Sequence, residues 1–265
     1  MEAEGNGMAR ASIDARIAAL YPGDVDWRDA RGRLHVAAIH AGTGHVLAIG
    51  PDAPRSPTDR FVLGFARARV DVILTTGSIL RSEPDLVHTY GATDEDTAAL
   101  GAWRRERLGL ASPPRLLVLS ATGDFPVDHP ALRGATGWIW TSEAGRARLG
   151  AGPAGFECVV PEAASADGSG LEAALAFVEA QAGVASCAIE AGPSTAAALY
   201  ATGAVDELLL SRFDGALADG ARGPAFVSPE AIARRFGAPR SEVVVEEASG
   251  PWRFERFRAA RGAER

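Results

Sequence analysis

Three short stretches combine glycine with hydroxyl side chains, and each follows an apolar run of strand length. The first is Ala191, Gly192, Pro193, Ser194 and Thr195, which follows the run 186–190. Gly192 lets a ligand come close to the backbone. Pro193 suits the first turn of a helix, where its missing N–H is not needed. The free N–H groups of that turn, with the hydroxyls of Ser194 and Thr195, suit an anion such as a phosphate. An ordinary strand-to-helix turn reads the same way. The second stretch is Thr75, Thr76, Gly77 and Ser78, placed after a strand expected at 70–74. The third is Ser120, Ala121, Thr122, Gly123 and Asp124, after a strand expected at 116–119. It suits the ribose or 2′-phosphate of a dinucleotide, and ordinary turn chemistry explains it equally well.

Other chemistry is excluded by what the 265 residues lack. The chain has no lysine, so all 27 basic residues are arginine, which removes Schiff-base and P-loop lysine mechanisms. A net charge of -7 argues against general nucleic-acid binding, which needs a basic face. The two cysteines, Cys158 and Cys187, lie in separate segments with no CxxC spacing, so neither a zinc site nor a disulfide framework is expected. The histidines are scattered at 35, 40, 45, 88 and 129, and no metal is expected at His40 and His45. No G-x-G-x-x-G, G-x-S-x-G or Walker A pattern is present. No apolar run approaches the roughly 20 residues of a membrane span, and residues 1–10 lack a signal peptide's apolar stretch. The expectation is a cytoplasmic protein without a membrane or nucleic-acid partner.

The elements that must hold these stretches alternate. A helix capped by Ser12 is expected at 12–20 within an extension covering 1–32, and a first core strand at 34–39. Helices are expected at 57–68, 93–107, 169–182 and 194–202, the third opening on a Ser169/Glu172 capping box. Strands are expected at 70–74, 116–119, 137–140, 156–160, 186–190 and 207–211, and 161–168 reads as a loop. The runs around Val244 and Phe254, separated by Ser249, Gly250 and Pro251, read as an antiparallel hairpin. This alternation predicts an α/β domain over 33–260, with a mostly parallel central sheet, helices on both faces and a C-terminal antiparallel hairpin.

In order and spacing, several segments resemble the reductase domain of bacterial bifunctional riboflavin-biosynthesis proteins, a family similar in fold to dihydrofolate reductase. They are the segment from Leu63 to Leu74, Arg81 to Leu86, Glu190 to Leu199 and Gly203 to Leu208. The resemblance runs from about Leu34 to Phe257. It implies an NADPH-dependent reductase, a homodimer, acting on an aminopyrimidine phosphate or a related small heterocycle. It implies that Glu190 lies near substrate and nicotinamide as the catalytic carboxylate; from the residues alone, Glu190 is equally a carboxylate that caps the next helix. Cofactor contacts carried over are Thr76, Gly77, Ser78, Ser120, Thr122, Ala191, Gly192, Pro193, Ser194 and Thr195. Substrate contacts are Thr43, Gly44, Glu83 and Leu86. The family's late motif is Glu-Gly-Gly-Pro-Thr, in which Ala191 here replaces the first Gly and Ser194 the Thr, and two further departures matter more. Where the family has Ser-Leu-Asp-Gly, this sequence has Ala41, Gly42, Thr43 and Gly44, and the loop at Thr76, Gly77 and Ser78 is one residue shorter. The family's deaminase half, with its His-x-Glu and Pro-Cys-x-x-Cys, has no counterpart in 1–32, so a stand-alone reductase-like domain is expected. A member that keeps the fold and has lost the activity is the alternative.

Overall fold

The computed structural model describes residues 12–23, 25–27, 32–48, 50, 52–161 and 169–260. The elements are α1 (Ile13–Leu20), β1 (Gly32–His40), β2 (His45–Leu47), α2 (Pro57–Arg69), β3 (Val72–Thr76), α3 (Gly77–Ser82), α4 (Asp94–Leu108), β4 (Arg115–Leu119) and β5 (Gly137–Trp140). There follow α5 (Glu143–Leu149), β6 (Phe156–Val159), α6 (Ser169–Glu179), β7 (Ser186–Ile189), α7 (Pro193–Ala201), β8 (Glu207–Phe213), β9 (Arg222–Ala225), α8 (Pro229–Phe236), β10 (Ser241–Glu247) and β11 (Gly250–Arg258).

Local chemistry starts most of the helices. Ser12, Ser56, Thr93, Ser142 and Ser228 each accept a backbone N–H from the first turn of the helix they precede, which satisfies one of its orphan donors. In α4 the acidic first turn (Asp94, Glu95, Asp96) and the basic last turn (Arg105, Arg107) both match the helix dipole. Gly109, at φ 71°, closes that helix in the left-handed region.

The strands lie in the order β10-β11-β8-β1-β7-β3-β4-β5-β6, with β2 and β9 forming a small antiparallel pair beside β1. From β8 to β6 every neighbouring pair is parallel. β11 runs antiparallel to β8, and β10 pairs with β11 as the expected hairpin. Central strands are apolar on both sides. In β4, Leu116 and Val118 face one core and Leu117 the other. One face is covered by α1, α2, α4 and α5 around Phe65, Trp103 and Ile139. The opposite face is covered by α6, α7 and α8 around Leu175, Leu199 and Ile232.

Three expectations need correction. The helix of the 1–32 extension belongs to the core of the 33–260 domain, with Ile17, Leu20 and Tyr21 buried in the first cluster and Asp14 bonded to Trp103 and Arg107 of α4. Residues 1–11 and most of the loop expected at 161–168 lie outside the described residues. The second strand runs over Val72–Thr76 rather than 70–74, because Val70 ends α2 and the β-branched Thr75 and Thr76 extend the strand. The stretches 77–82, 143–149 and 229–236, too short to show a clear period, are helices.

Candidate cofactor and substrate site

The carboxyl edge of the sheet has a notch over β7. His35 and Leu74 both pair with Ile189, the last residue of β7. Beyond that level β1 continues to His40 and β3 to Thr76, so two longer strands flank a shorter one. The connections beside the notch leave by opposite faces: α2 covers the face of the first cluster and α7 that of the second. Such a switch point is where open α/β sheets bind ligands. The three glycine-and-hydroxyl stretches follow β7, β3 and β4, which are adjacent, so the fold sets them side by side.

At the first stretch, Gly192 is the N-cap of α7 and makes no side-chain capping bond, and Pro193 is the first helical residue. Glu190 does not cap this helix, in contrast to one sequence expectation. A Cβ on Gly192 meets nothing within 4 Å. Ser194 is exposed and Thr195 half-buried in the open first turn, and Ala191 packs on the second cluster. At the second stretch, Thr76 Oγ1 accepts from Ile79 N (3.3 Å) and lies 2.9 Å from Ser78 Oγ. Gly77 is where close approach demands glycine, since a Cβ there would lie 2.7 Å from Ser120 Oγ. Ser120 is buried and Thr122 exposed. The turn after Ser120 is tied to α5, with Ser142 Oγ donating to Ala121 O at 2.6 Å. Two arginines invisible to local spacing reach the same turn: Arg81 donates to Asp124 O, and Arg148 lies 3.7 Å from its carboxylate.

Glu190 itself is held. Arg67 of α2 donates Nε to its Oε1 and Nη2 to its Oε2, both at 2.7 Å. Burial alone would raise this carboxyl, but the Arg67 charge and hydrogen bonds, with His88, keep it below its ordinary value. Arg67 Nη1 also donates to the carbonyls of Thr89 (3.0 Å) and Val87 (3.4 Å). One turn earlier on α2, Gly64 makes room for the same segment, because a Cβ there would sit 1.4 Å from Tyr90 O. His88 lies between these anchors, its side chain 6% exposed and Nε2 3.7 Å from Glu190 Oε2, too far for a hydrogen bond. Glu83, at the end of α3, is half-buried, and burial and then Glu190 raise its carboxyl. His129 accepts from Ala131 N at Nδ1 and so donates from Nε2 to Glu83 O at 2.9 Å.

The expected substrate residues divide between two places. Glu83 stands beside Glu190, while Leu86 packs on the first cluster. Thr43 and Gly44 turn between β1 and β2, where Gly44 has φ 66°. There His40 Nε2 donates to Gly215 O (3.1 Å), which leaves Nδ1 to accept from the Thr43 hydroxyl at 3.1 Å. His40 and Thr43, with Asp214 and Arg222, line a cleft of ≈ 440 Å³ at the ends of β1 and β8. Among the described residues no group of three or more His, Cys, Asp or Glu is placed to hold a metal, and no helix is long and apolar enough to cross a membrane.

Two buried histidines make stability depend on pH. His35, within 3.2 Å of the Tyr200 hydroxyl, is pushed down to about 4 by burial. His88 is also pushed down to about 4, chiefly by burial; Glu190 opposes the shift and Arg67 and His129 add to it. Both are neutral in the fold and charge more easily when unfolded. Their stabilisation is therefore complete above the ordinary 6.5 and is lost as pH falls toward about 4. Each is expected to remove roughly 3 kcal/mol across that window. Asp59 and Glu83, whose carboxyls are raised, act in the opposite sense. Urea unfolding at pH 7.5 and 4.5 reads the change, and His88→Gln should remove one histidine's share. An equal pH response in that variant would show that His88 is not buried neutral.

No family model matches the chain, and no curated protein matches it in sequence. Solved structures do resemble it. A pyrimidine reductase-like protein from Corynebacterium diphtheriae is 18% identical, with 93% of this chain and 98% of that one covered and a TM-score of 0.59. The Riboflavin Biosynthesis Reductase of Saccharomyces cerevisiae is 9% identical over 93% of this chain and 98% of its own, at 0.53. The diaminohydroxyphosphoribosylaminopyrimidine deaminase/5-amino-6-(5-phosphoribosylamino)uracil reductase of Thermotoga maritima is 15% identical over 87% of this chain, at 0.52, and the chain spans 57% of its length. The fold is that of these reductases.

Proposed function

We propose that the chain is an NADPH-dependent reductase of a small heterocyclic substrate related to 5-amino-6-(5-phosphoribosylamino)uracil, acting in the cytoplasm as a homodimer. The observation that carries this reading is the side-by-side placement of three glycine-and-hydroxyl stretches beside a notch in a sheet of reductase fold. The residues fit the cofactor. Gly192 leaves open space and α7 an uncapped N-terminus for a phosphate. Glu190 is withdrawn onto Arg67 and does not repel that phosphate. Arg81 and Arg148 stand at the Ser120–Asp124 turn, where a 2′-phosphate would make NADPH the preferred form.

When bound, the nicotinamide supplies the hydride. The chain binds, orients and excludes water. Ser194, Thr195 and the first N–H groups of α7 hold phosphate; Thr76, Ser78, Ser120 and Thr122 line the ribose side. Glu190, fixed as a carboxylate by Arg67, orients the reacting groups. Thr43 contributes from the cleft at the end of β1, and Gly44 from the turn beside it.

The test is NADPH binding by fluorescence, followed by NADPH oxidation with that aminopyrimidine. A fold that has lost its activity would bind without turnover on any substrate. Gly192→Ala gives a sharper check, since φ -63° is ordinary for alanine and the space is open. Its thermal stability should drop only slightly while the NADPH Kd rises about tenfold, from crowding of a phosphate against the backbone. An unchanged Kd would remove the phosphate from α7.

A further inference from the structure

We propose that His88 is a substrate-binding residue, whose neutral imidazole hydrogen-bonds an uncharged group at the end of the substrate away from any phosphate. The inference rests on the reductase reading above. It starts from a cost. A neutral imidazole carries one donor and one acceptor, and in His88 neither ring nitrogen has a hydrogen-bond partner, although both are buried. Buried polar groups without partners are rare and destabilising. An apolar side chain would fill this position more cheaply.

The surroundings show what the imidazole is reserved for. Its segment is held on both sides, because Arg67 binds the carbonyls of Val87 and Thr89, and Tyr90 O rests against Gly64. The facing groups are Glu190 from the end of β7, Arg67 from α2, and His129 from the turn after β4, with Glu83 at the end of α3 beside Glu190. Arg67 is already spent on the Glu190 carboxylate and two carbonyls. The place therefore offers a donor, an acceptor and two carboxyl groups. Among the groups facing His88, the Arg67 cation that would draw a phosphate is already paired with Glu190, and Glu83 adds a carboxyl; an amide-like or hydroxyl group fits. Phosphates belong instead to the N-terminus of α7 or to the cleft with Arg222. The ring nitrogens are shielded from water, so contact needs the imidazole to turn within its anchored segment. That segment has neither helix nor strand from Val87 to Thr89, and Val87 is 48% exposed.

The test uses His88→Leu and His88→Gln in the full chain. Leucine fills the volume without polar atoms, so its Tm should equal or exceed that of the wild type. With NADPH and 5-amino-6-(5-phosphoribosylamino)uracil, His88→Leu should raise KM at least tenfold and leave the NADPH Kd within twofold. His88→Gln, which keeps a donor and an acceptor, should recover most of the loss. In the wild type, the His88 imidazole resonances should shift when that aminopyrimidine is added and stay fixed with NADPH alone. A shift with NADPH alone would place His88 on the cofactor and overturn the proposal. So would an unchanged KM in His88→Leu, or no shift with either ligand while NADPH binding is seen by fluorescence. If NADPH does not bind at all, the reductase reading itself falls.

Discussion

Glu207→Ala is expected to cost the protein about 5 kcal/mol of stability, or its fold altogether, because it removes the buried carboxylate that three guanidinium groups share. Glu207 begins β8 and is 3% exposed in its side chain. Its Oε2 accepts from Arg69 at the end of α2 (2.9 Å) and from Arg258 of β11 (2.9 Å), and its Oε1 from Arg256 of β11 at 2.7 Å. Arg69 and Arg256 also stack on Trp27, at 4.6 and 4.9 Å from the ring centre. One carboxylate thus ties α2, β8 and β11 together. Removing it takes that shared counter-charge from all three arginines, against a total stability of only ~5–15 kcal/mol for a domain. The ionisation has a matching signature. Burial would raise the Glu207 carboxyl, but the Arg69 and Arg256 charges and hydrogen bonds carry it down to about 2. A lowered carboxyl stabilises above its unfolded value, so this contribution is lost as pH falls from about 4.5 toward about 2. Urea unfolding of wild type and variant measures both effects. A loss below ~1 kcal/mol would mean that the cluster is solvated and structurally idle.

The second large effect is expected at Arg67→Met. The bidentate pair is buried, with Arg67 5% and Glu190 12% exposed in their side chains. Without the guanidinium, Glu190 is a lone buried carboxylate and stability should fall by ~3–5 kcal/mol. The anchors at Val87 and Thr89 are lost as well, so kcat/KM for the proposed NADPH-dependent reduction should fall about 100-fold, roughly 2.7 kcal/mol in the transition state. The His88 imidazole should then titrate higher, because the charge of Arg67 no longer opposes its protonation while Glu190 still favours it. The double variant Arg67→Met with Glu190→Gln separates structure from function. It should recover most of the stability, since both charges are gone, and none of the activity. If the double variant is no more stable than the single one, the pair does not hold this edge of the sheet.

Much of this architecture was legible from the chain. Hydrophobic runs of strand length, the hydroxyl cap at Ser12, and Pro193 before a helix depend on neighbours a few residues apart, so local physics reveals them. The hairpin at Ser249 and the three glycine-and-hydroxyl stretches were visible for the same reason. Errors fell where a distant element decided the outcome. The helix at Ile13–Leu20 joined the core because α4 offered Trp103 and Arg107 to Asp14. Glu190 could be read as a helix cap until α2 placed Arg67 against it, 123 residues away in sequence. His88 looked like one of several scattered histidines, since no local spacing records that a side chain is buried without a partner.

The sequence by itself determined the alternation of strands and helices and the chemical types at the strand ends, because periodicity and capping act over a turn or two. Only the tertiary structure decided that β7 stops short between β1 and β3, that three loops share one edge, and that Arg67, His88 and Glu190 meet there. Parallel neighbours in a sheet are joined by long crossovers, so the residues that form a site lie far apart in sequence and are brought together only by strand order and register.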